Sequence, residues 1–171
     1  MIFNLTDPMD CAVVSAYLTH ERRNGKTVGL ASGSFDLAHF QHVLFLARCR
    51  RMCDVLIVGV DSDELVRERK GEGRPIIYDS RRVVMIDMMK PVAFAFIMGS
   101  VRDFARASEL IRPESIFKND AFAGRESEIL GKESAGQIVI VRDVVEHSST
   151  TEIVKAVARL GGKPSDCPGG E

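Results

Sequence analysis

No apolar run in the sequence approaches the roughly 18 consecutive residues a membrane span requires. Nor is there an excess of charge of either sign: 23 lysines and arginines stand against 24 aspartates and glutamates, for a formal net charge of -1. That balance excludes a broadly cationic nucleic-acid binder and a polybasic membrane-surface protein, but leaves room for a local anion site. Cysteine is sparse, four in 171 residues, and no charged-then-apolar leader stands at the start. This fits a reducing cytosol better than a secreted disulfide scaffold, so a cytoplasmic protein is expected. Internal repeats, a G-x-x-x-x-G-K-[ST] phosphate loop and a G-x-G-x-x-G turn after a strand are also missing. What is present is an ordinary soluble composition, 45% apolar and 27% charged, at a length suited to one domain.

Short β-type runs alternate with helical patterns. Asp7-Pro8 offers an N-cap and a first-turn proline, Ala12, Val13, Ala16 and Tyr17 make an apolar stripe, and Asn24-Gly25 stops that first helix. Five runs read as buried strands: Val28–Ala31, Val55–Val60, Val92–Met98, Ser115–Lys118 and Ile138–Val141. Helices are expected at about 37–52, 62–69, 80–90, 101–111, 125–134 and 150–160. Continuously apolar strands separated by helices imply a parallel α/β sheet covered on both faces. Residues 161–171 hold six glycines and prolines, so the domain is expected over 1–160 with a flexible tail at 161–171.

In parallel sheets ligands sit outside the carboxyl ends of the strands. The first strand is followed by Gly33-Ser34-Phe35-Asp36-Leu37-Ala38-His39-Phe40-Gln41-His42, with Phe40, Val43, Leu44 and Ala47 forming a buried stripe on the next helix. His39 and His42 are three apart and share a helix face at its first turn. Backbone amides and the positive dipole end point the same way, so phosphate can meet both together, and Gly33 lets the backbone approach closely. A plain strand-to-helix turn capped by Asp36, with two satisfied histidines, explains the same residues without chemistry.

The run G-S-F-D-L-A-H-F-Q-H resembles the G-x-F-D-x-x-H-x-G-H signature of the nucleotidyltransferase superfamily that includes cytidylyltransferases and sugar-phosphate adenylyltransferases; Gln41 stands where that signature has glycine. Lys70-Gly71-Glu72-Gly73-Arg74-Pro75 resembles the K-G-E-G-R-P stretch of heptose 1-phosphate adenylyltransferases, although a solvated charge run is the commoner origin of such a segment. In that family an arginine follows on the next helix, at a place that falls on Arg82. Phe117-Lys118-Asn119-Asp120 is similar to the family's K-G-G-D-Y stretch, one residue shorter and without the aromatic directly after it; a strand end dissolving into a polar loop reads the same. Ser148-Ser149-Thr150-Thr151 matches the family's S-T-T motif, of which one hydroxyl is explained by a helix cap alone.

The resemblance covers roughly residues 8–160. It implies a single Rossmann-like α/β domain, a five-stranded parallel sheet of order 3-2-1-4-5 with helices on both faces. It implies transfer of a nucleoside monophosphate from a nucleoside triphosphate, with ATP favoured, to a sugar phosphate such as heptose 1-phosphate, releasing pyrophosphate. By the same resemblance His39, His42, Lys70 and Arg82 are the catalytic set. Gly33, Ser34, Phe35, Asp36, Gln41, Arg74, Ser149, Thr150 and Thr151 meet the nucleotide, and Lys118 and Asp120 the acceptor. Mg²⁺ is expected on the nucleotide phosphates with few protein ligands. A homo-oligomer, a dimer, is implied, with no nucleic-acid or membrane partner. Two alternatives stay open: a cytidylyltransferase acting on glycerol 3-phosphate or a similar phospho-alcohol, and a non-catalytic nucleotide-binding module.

Cys49 and Cys53 lie one helical turn apart, but a four-ligand metal site needs two more donors, so they read as buried free thiols. Phe35, Phe40 and Phe45 read as packing. Within residues 67–82 six basic groups outnumber three acidic ones, so the near-zero net charge conceals one phosphate-sized basic segment.

Overall fold

In the computed structural model the apolar runs form five parallel strands, β1 (Val28–Gly33), β2 (Val55–Asp61), β3 (Phe94–Met98), β4 (Ser115–Asn119) and β5 (Gln137–Val141), ordered β3-β2-β1-β4-β5. The expected strand order is therefore the observed one. The structure describes residues 1–142 and the helical positions Val154, Lys155, Val157 and Arg159. Ser149, Thr150, Thr151 and the tail at 161–171 lie outside the described residues.

Helices α1 (Pro8–Arg23), α2 (Phe40–Arg51), α3 (Asp63–Lys70), α4 (Asp79–Asp87) and α5 (Val101–Ile111) join the strands. Strand side chains alternate between faces, and the core divides accordingly. Leu30, Ile57 and Ile116 pack with Val14 and Leu18 of α1 and Phe104, Ala107 and Ile111 of α5. Ala31, Leu56, Val58 and Phe117 pack with Leu46 and Cys49 of α2 and Val83 and Ile86 of α4. Both faces are covered, which is why the strand runs are uniformly apolar. On the outer edge of β3 the first residues continue the ladder: Phe3 N donates to Ala95 O at 3.0 Å and Ala95 N to Met1 O at 3.1 Å. Among the described residues no helix is long and apolar enough to cross a membrane.

Three expectations are corrected. The buried stripe of α1 is Val14 and Leu18, whereas Val13 and Tyr17 are exposed; the sheet selects the i, i+4 pair one residue on. In α2 the sheet-facing residues are Leu46 and Cys49, while Phe40 is 64% exposed and Val43 also faces solvent, because the first turn projects beyond the strand ends. Phe40 is thus not a packing residue.

The third correction concerns 125–134, where two single 3₁₀ turns, Glu126–Glu128 and Lys132–Ser134, replace the expected helix. Gly131, at φ +80°, breaks the segment, and an added Cβ there would lie 2.6 Å from Ala105 Cα. The close approach lets Ser108 Oγ donate to Gly131 O at 2.7 Å.

Candidate functional site

β1 is the point where strand order reverses, with β2 on one side and β4 on the other. The crevice outside the carboxyl ends of these three strands is where a parallel sheet places a ligand. Into it run Ser32 and Gly33 from β1, Asp61 from β2 and Lys118 from β4.

The turn after β1 is built from unusual backbone. Phe35 and Leu37 hold φ of 49° and 47°, a left-handed conformation rare for such side chains and one that stores strain where it is tolerated. This delays α2 to Phe40 and makes His39, not Asp36, its N-cap. The two imidazoles then cap the helix reciprocally: His39 Nδ1 accepts from Gln41 N at 3.3 Å, and His42 Nδ1 accepts from His39 N at 3.2 Å. An imidazole that accepts through Nδ1 carries its neutral-state proton on Nε2. In that state each ring carries its N–H on Nε2, at the positive end of α2. Their centroids are 4.1 Å apart, and buried Phe35 packs edge-on against His42 at 5.4 Å. Burial above all, then His39 and Lys70, lowers the His42 pKa to about 4, so near neutral pH it is an uncharged donor.

Asp36 is fully buried, and its carboxylate reaches away from α2 into the basic segment. Oδ1 accepts from Ile76 N at 3.0 Å and Ile77 N at 3.1 Å, and Oδ2 pairs with Arg74 Nη2 at 2.5 Å. Arg82, expected in the triphosphate grip, does not present its guanidinium to the crevice. It is wholly buried, with Nε donating to Ile77 O at 2.7 Å, Nη1 to Ser34 O, and Nη2 to Asp63 Oδ1 at 2.7 Å. Asp63 in turn accepts from Asp79 N at 2.8 Å, joining the starts of α3 and α4. Asp36, Arg74 and Arg82 thus bolt the 71–78 loop to the β1–α2 turn. Lys70 is left at the surface where α3 ends and the bolted loop begins. Gly71, at φ +86°, turns the chain away from the helix there. Desolvation first and the Arg74 guanidinium second lower the Lys70 pKa, against the opposing pull of Asp36 and Asp61.

Lys118 lines the other wall. Its Nζ donates to Ser32 Oγ at 2.7 Å and sits 3.8 Å from the Phe104 ring centroid and 5.1 Å from that of Phe122. At 8% exposure, burial lowers its pKa to about 8, with Asp61 opposing and Arg69 reinforcing the shift. The aromatic missing directly after Lys118-Asn119-Asp120 is supplied by Phe122, two residues past Asp120. Asp120 itself is exposed and opens the 3₁₀ turn Asp120–Phe122.

Sequence reasoning missed three residues here. Phe104 and Phe122 flank Lys118. Asp61, 1% exposed, accepts from Ser34 Oγ at 3.0 Å and Arg69 Nη1 at 2.9 Å. Its signal was legible: a lone aspartate closing a fully apolar strand, at the end where such sheets bind ligands. Cys49 and Cys53 are free and buried, and desolvation raises both thiol pKa values, that of Cys53 to about 11. They are packing residues, remote from thiolate chemistry.

As a metal centre the crevice is poorly equipped. Asp36, Asp61 and Asp63 each face an arginine, and among the described residues no cluster of three or more His, Cys, Asp or Glu stands ready for a cation. The donors suit phosphate oxygens: the Nε2–H of uncharged His42 with the His39 imidazole beside it, exposed Lys70 at the edge of the bolted loop, buried Lys118 and helix amides.

Comparison with known proteins follows the same line. The cytidylyltransferase-like family model matches residues 30–159. "Bifunctional protein HldE" of Desulfatibacillum aliphaticivorans is 36% identical over 137 residues, 78% of this chain but 27% of its own length. The protein of the same name from Syntrophotalea carbinolica is 31% identical, over 80% of this chain and 28% of its own. This chain therefore spans a little over a quarter of the length of these curated relatives. Among solved structures, a lipopolysaccharide core biosynthesis protein from Thermoplasma volcanium superposes with a TM-score of 0.57 at 26% identity, covering 72% of this chain and 100% of that one. Pantothenate synthetase from Thermus thermophilus shares the fold, with a TM-score of 0.53 at 15% identity, over 89% of this chain and 75% of its own.

Proposed function

Because the chain belongs to the cytidylyltransferase-like family, we propose that it is a nucleotidyltransferase, moving a nucleoside monophosphate from a nucleoside triphosphate, ATP in the favoured case, to a sugar phosphate such as heptose 1-phosphate. A phosphate oxygen of the acceptor attacks the α-phosphorus in line, the bond between the α-phosphorus and the bridging oxygen breaks, and pyrophosphate leaves. No covalent nucleophile is needed; the protein positions the reactants and stabilises charge on the crowded phosphorus and the departing group.

The observation that carries this reading is the pair of reciprocally capped histidines beside the bolted basic loop. His39 and His42 donate Nε2–H to phosphate oxygens at the start of α2. Lys70 holds the leaving pyrophosphate, and Ser149, Thr150 and Thr151 are assigned to the same task by the resemblance. Gly33 and Ser34 give the nucleotide a close backbone approach, while Phe35, Asp36, Arg74 and Arg82 act on it indirectly, by holding the turn and loop. Lys118 takes the acceptor's phosphate and Asp120 a sugar hydroxyl. Mg²⁺ would be held chiefly by the triphosphate, with few protein ligands, and would supply charge neutralisation there; Asp36, Asp61 and Asp63 each pair with an arginine.

The test is pyrophosphate release across four nucleoside triphosphates crossed with heptose 1-phosphate, glycerol 3-phosphate and other phosphorylated acceptors. ATP with a sugar 1-phosphate is expected to turn over; CTP with glycerol 3-phosphate would instead identify the cytidylyltransferase alternative. In the productive pair His42→Ala binds nucleotide but turns over at least about a hundredfold slower, the usual loss for one aimed donor. Gln41, in place of the glycine between the histidines, favours a second reading, a nucleotide-binding module without turnover. Calorimetric nucleotide binding with no pyrophosphate release in any combination is its signature.

A further inference from the structure

One carboxylate in the crevice takes no part in gripping phosphate. Asp61 closes β2 next to the Gly33–Ser34 turn, and its side chain is 2% exposed. Both of its hydrogen bonds, from Ser34 Oγ and Arg69 Nη1, end on Oδ2. Among the described residues, Oδ1 receives no hydrogen bond, although a carboxylate has about four acceptor positions. A brace between the β1–α2 turn and α3 needs only the oxygen already engaged.

The surroundings say what the second oxygen can take. Lys118 stands one strand beyond β1, buried between Ser32 and two phenylalanine rings, and it feels the Asp61 charge. A carboxylate repels phosphate and accepts strongly from a neutral hydroxyl. A lysine and a carboxylate on the same crevice floor therefore suit a molecule with phosphate at one point and a hydroxyl a short way along its carbon skeleton.

We propose that Asp61 Oδ1 accepts a hydrogen bond from a hydroxyl of the acceptor whose phosphate Lys118 holds, so that Asp61 distinguishes a phosphorylated polyol from phosphate alone. The inference rests on the acceptor reading of Lys118 given under Proposed function. It makes Asp61 a specificity-determining residue, with Arg69 an ion-pair partner on the other oxygen that does not itself touch the acceptor.

Isothermal titration of the full chain, saturated with α,β-methylene-ATP to prevent turnover, tests it with two probes, heptose 1-phosphate and inorganic phosphate. The wild type binds the sugar phosphate more tightly by about tenfold or more, as expected for a hydrogen bond to a charged group. Asp61→Asn loses that preference and binds inorganic phosphate as well as or better than the wild type, since a negative charge beside Lys118 is gone. Should Asp61→Asn fail to fold, Asp61→Leu gives the same collapse of preference. Arg69→Gln, which removes the same ion pair from the other side, keeps the preference. The proposal is overturned if Asp61→Asn still prefers the sugar phosphate, or if Arg69→Gln loses the preference as fully. Those outcomes leave the transferase reading standing. Failure of the wild type to bind any phosphorylated acceptor overturns both.

Discussion

Lys118 shows how one buried cation can be unfavourable for folding and useful for binding. Burial holds its pKa near 8, below the ordinary lysine value of 10.5, which corresponds to roughly 3 kcal/mol against the charged form. The unfolded chain binds this proton more tightly than the folded one, so the penalty is full below about pH 8 and is relieved as pH rises towards 10.5. Lys118→Met is therefore expected to raise the urea midpoint at pH 7. The gap to the wild type should narrow between pH 8 and 10, and acceptor saturation should be lost. An unchanged midpoint at pH 7 would show that the Phe104 and Phe122 rings already compensate the charge. With His42 uncharged and Lys118 charged, the site as described spans about pH 4 to 8.

The decisive element is the loop between α3 and α4. By composition it is a solvated charge run; in the fold it is pinned from beneath by Asp36, which takes two of its amides and Arg74. Asp36→Ala leaves the Arg74 guanidinium, 13% exposed, without its counter-charge. Removing one partner of a buried pair typically costs about 3–5 kcal/mol, and thermal melts of Asp36→Ala should show a loss of that size. Nucleotide affinity should fall with it, because Lys70 then borders an unanchored loop. A melt within a degree of the wild type would remove the bolt from the account. The sequence marked this loop as basic, but only the fold shows that its buried arginines hold it in place and that Lys70 is the cation left for the ligand.

At the scale of the whole molecule, the parallel sheet decides which charges meet. The net charge of -1 spreads over a solvated surface, whereas Ser34, Asp61, Arg69, Lys70 and Lys118 converge because β1, β2 and β4 end together. We expect the chain to form a dimer, as the family resemblance implies, and static light scattering should give twice the 18.9 kDa chain mass. A monomeric mass across the working concentration range would reject it.

The strands, the strand-to-helix turn and the histidine pair were legible in the sequence, and the strand order was what the family resemblance implied. Uninterrupted apolar runs, helix spacing and motif order are local properties of the chain, and a sheet buried on both faces leaves few arrangements for them. Other features are set by contacts between segments distant in sequence, and those only the tertiary structure decided. Gly131 meeting Ala105 dissolved the helix expected at 125–134. The sheet-facing pairs, Val14 and Leu18 at i, i+4 and Leu46 and Cys49 at i, i+3, fixed the buried sides of α1 and α2. Arg82 was drawn beneath the loop by Ser34, Ile77 and Asp63, and Asp61, an unremarked strand end in the sequence, became a buried carboxylate in the crevice because β1 and β2 run side by side.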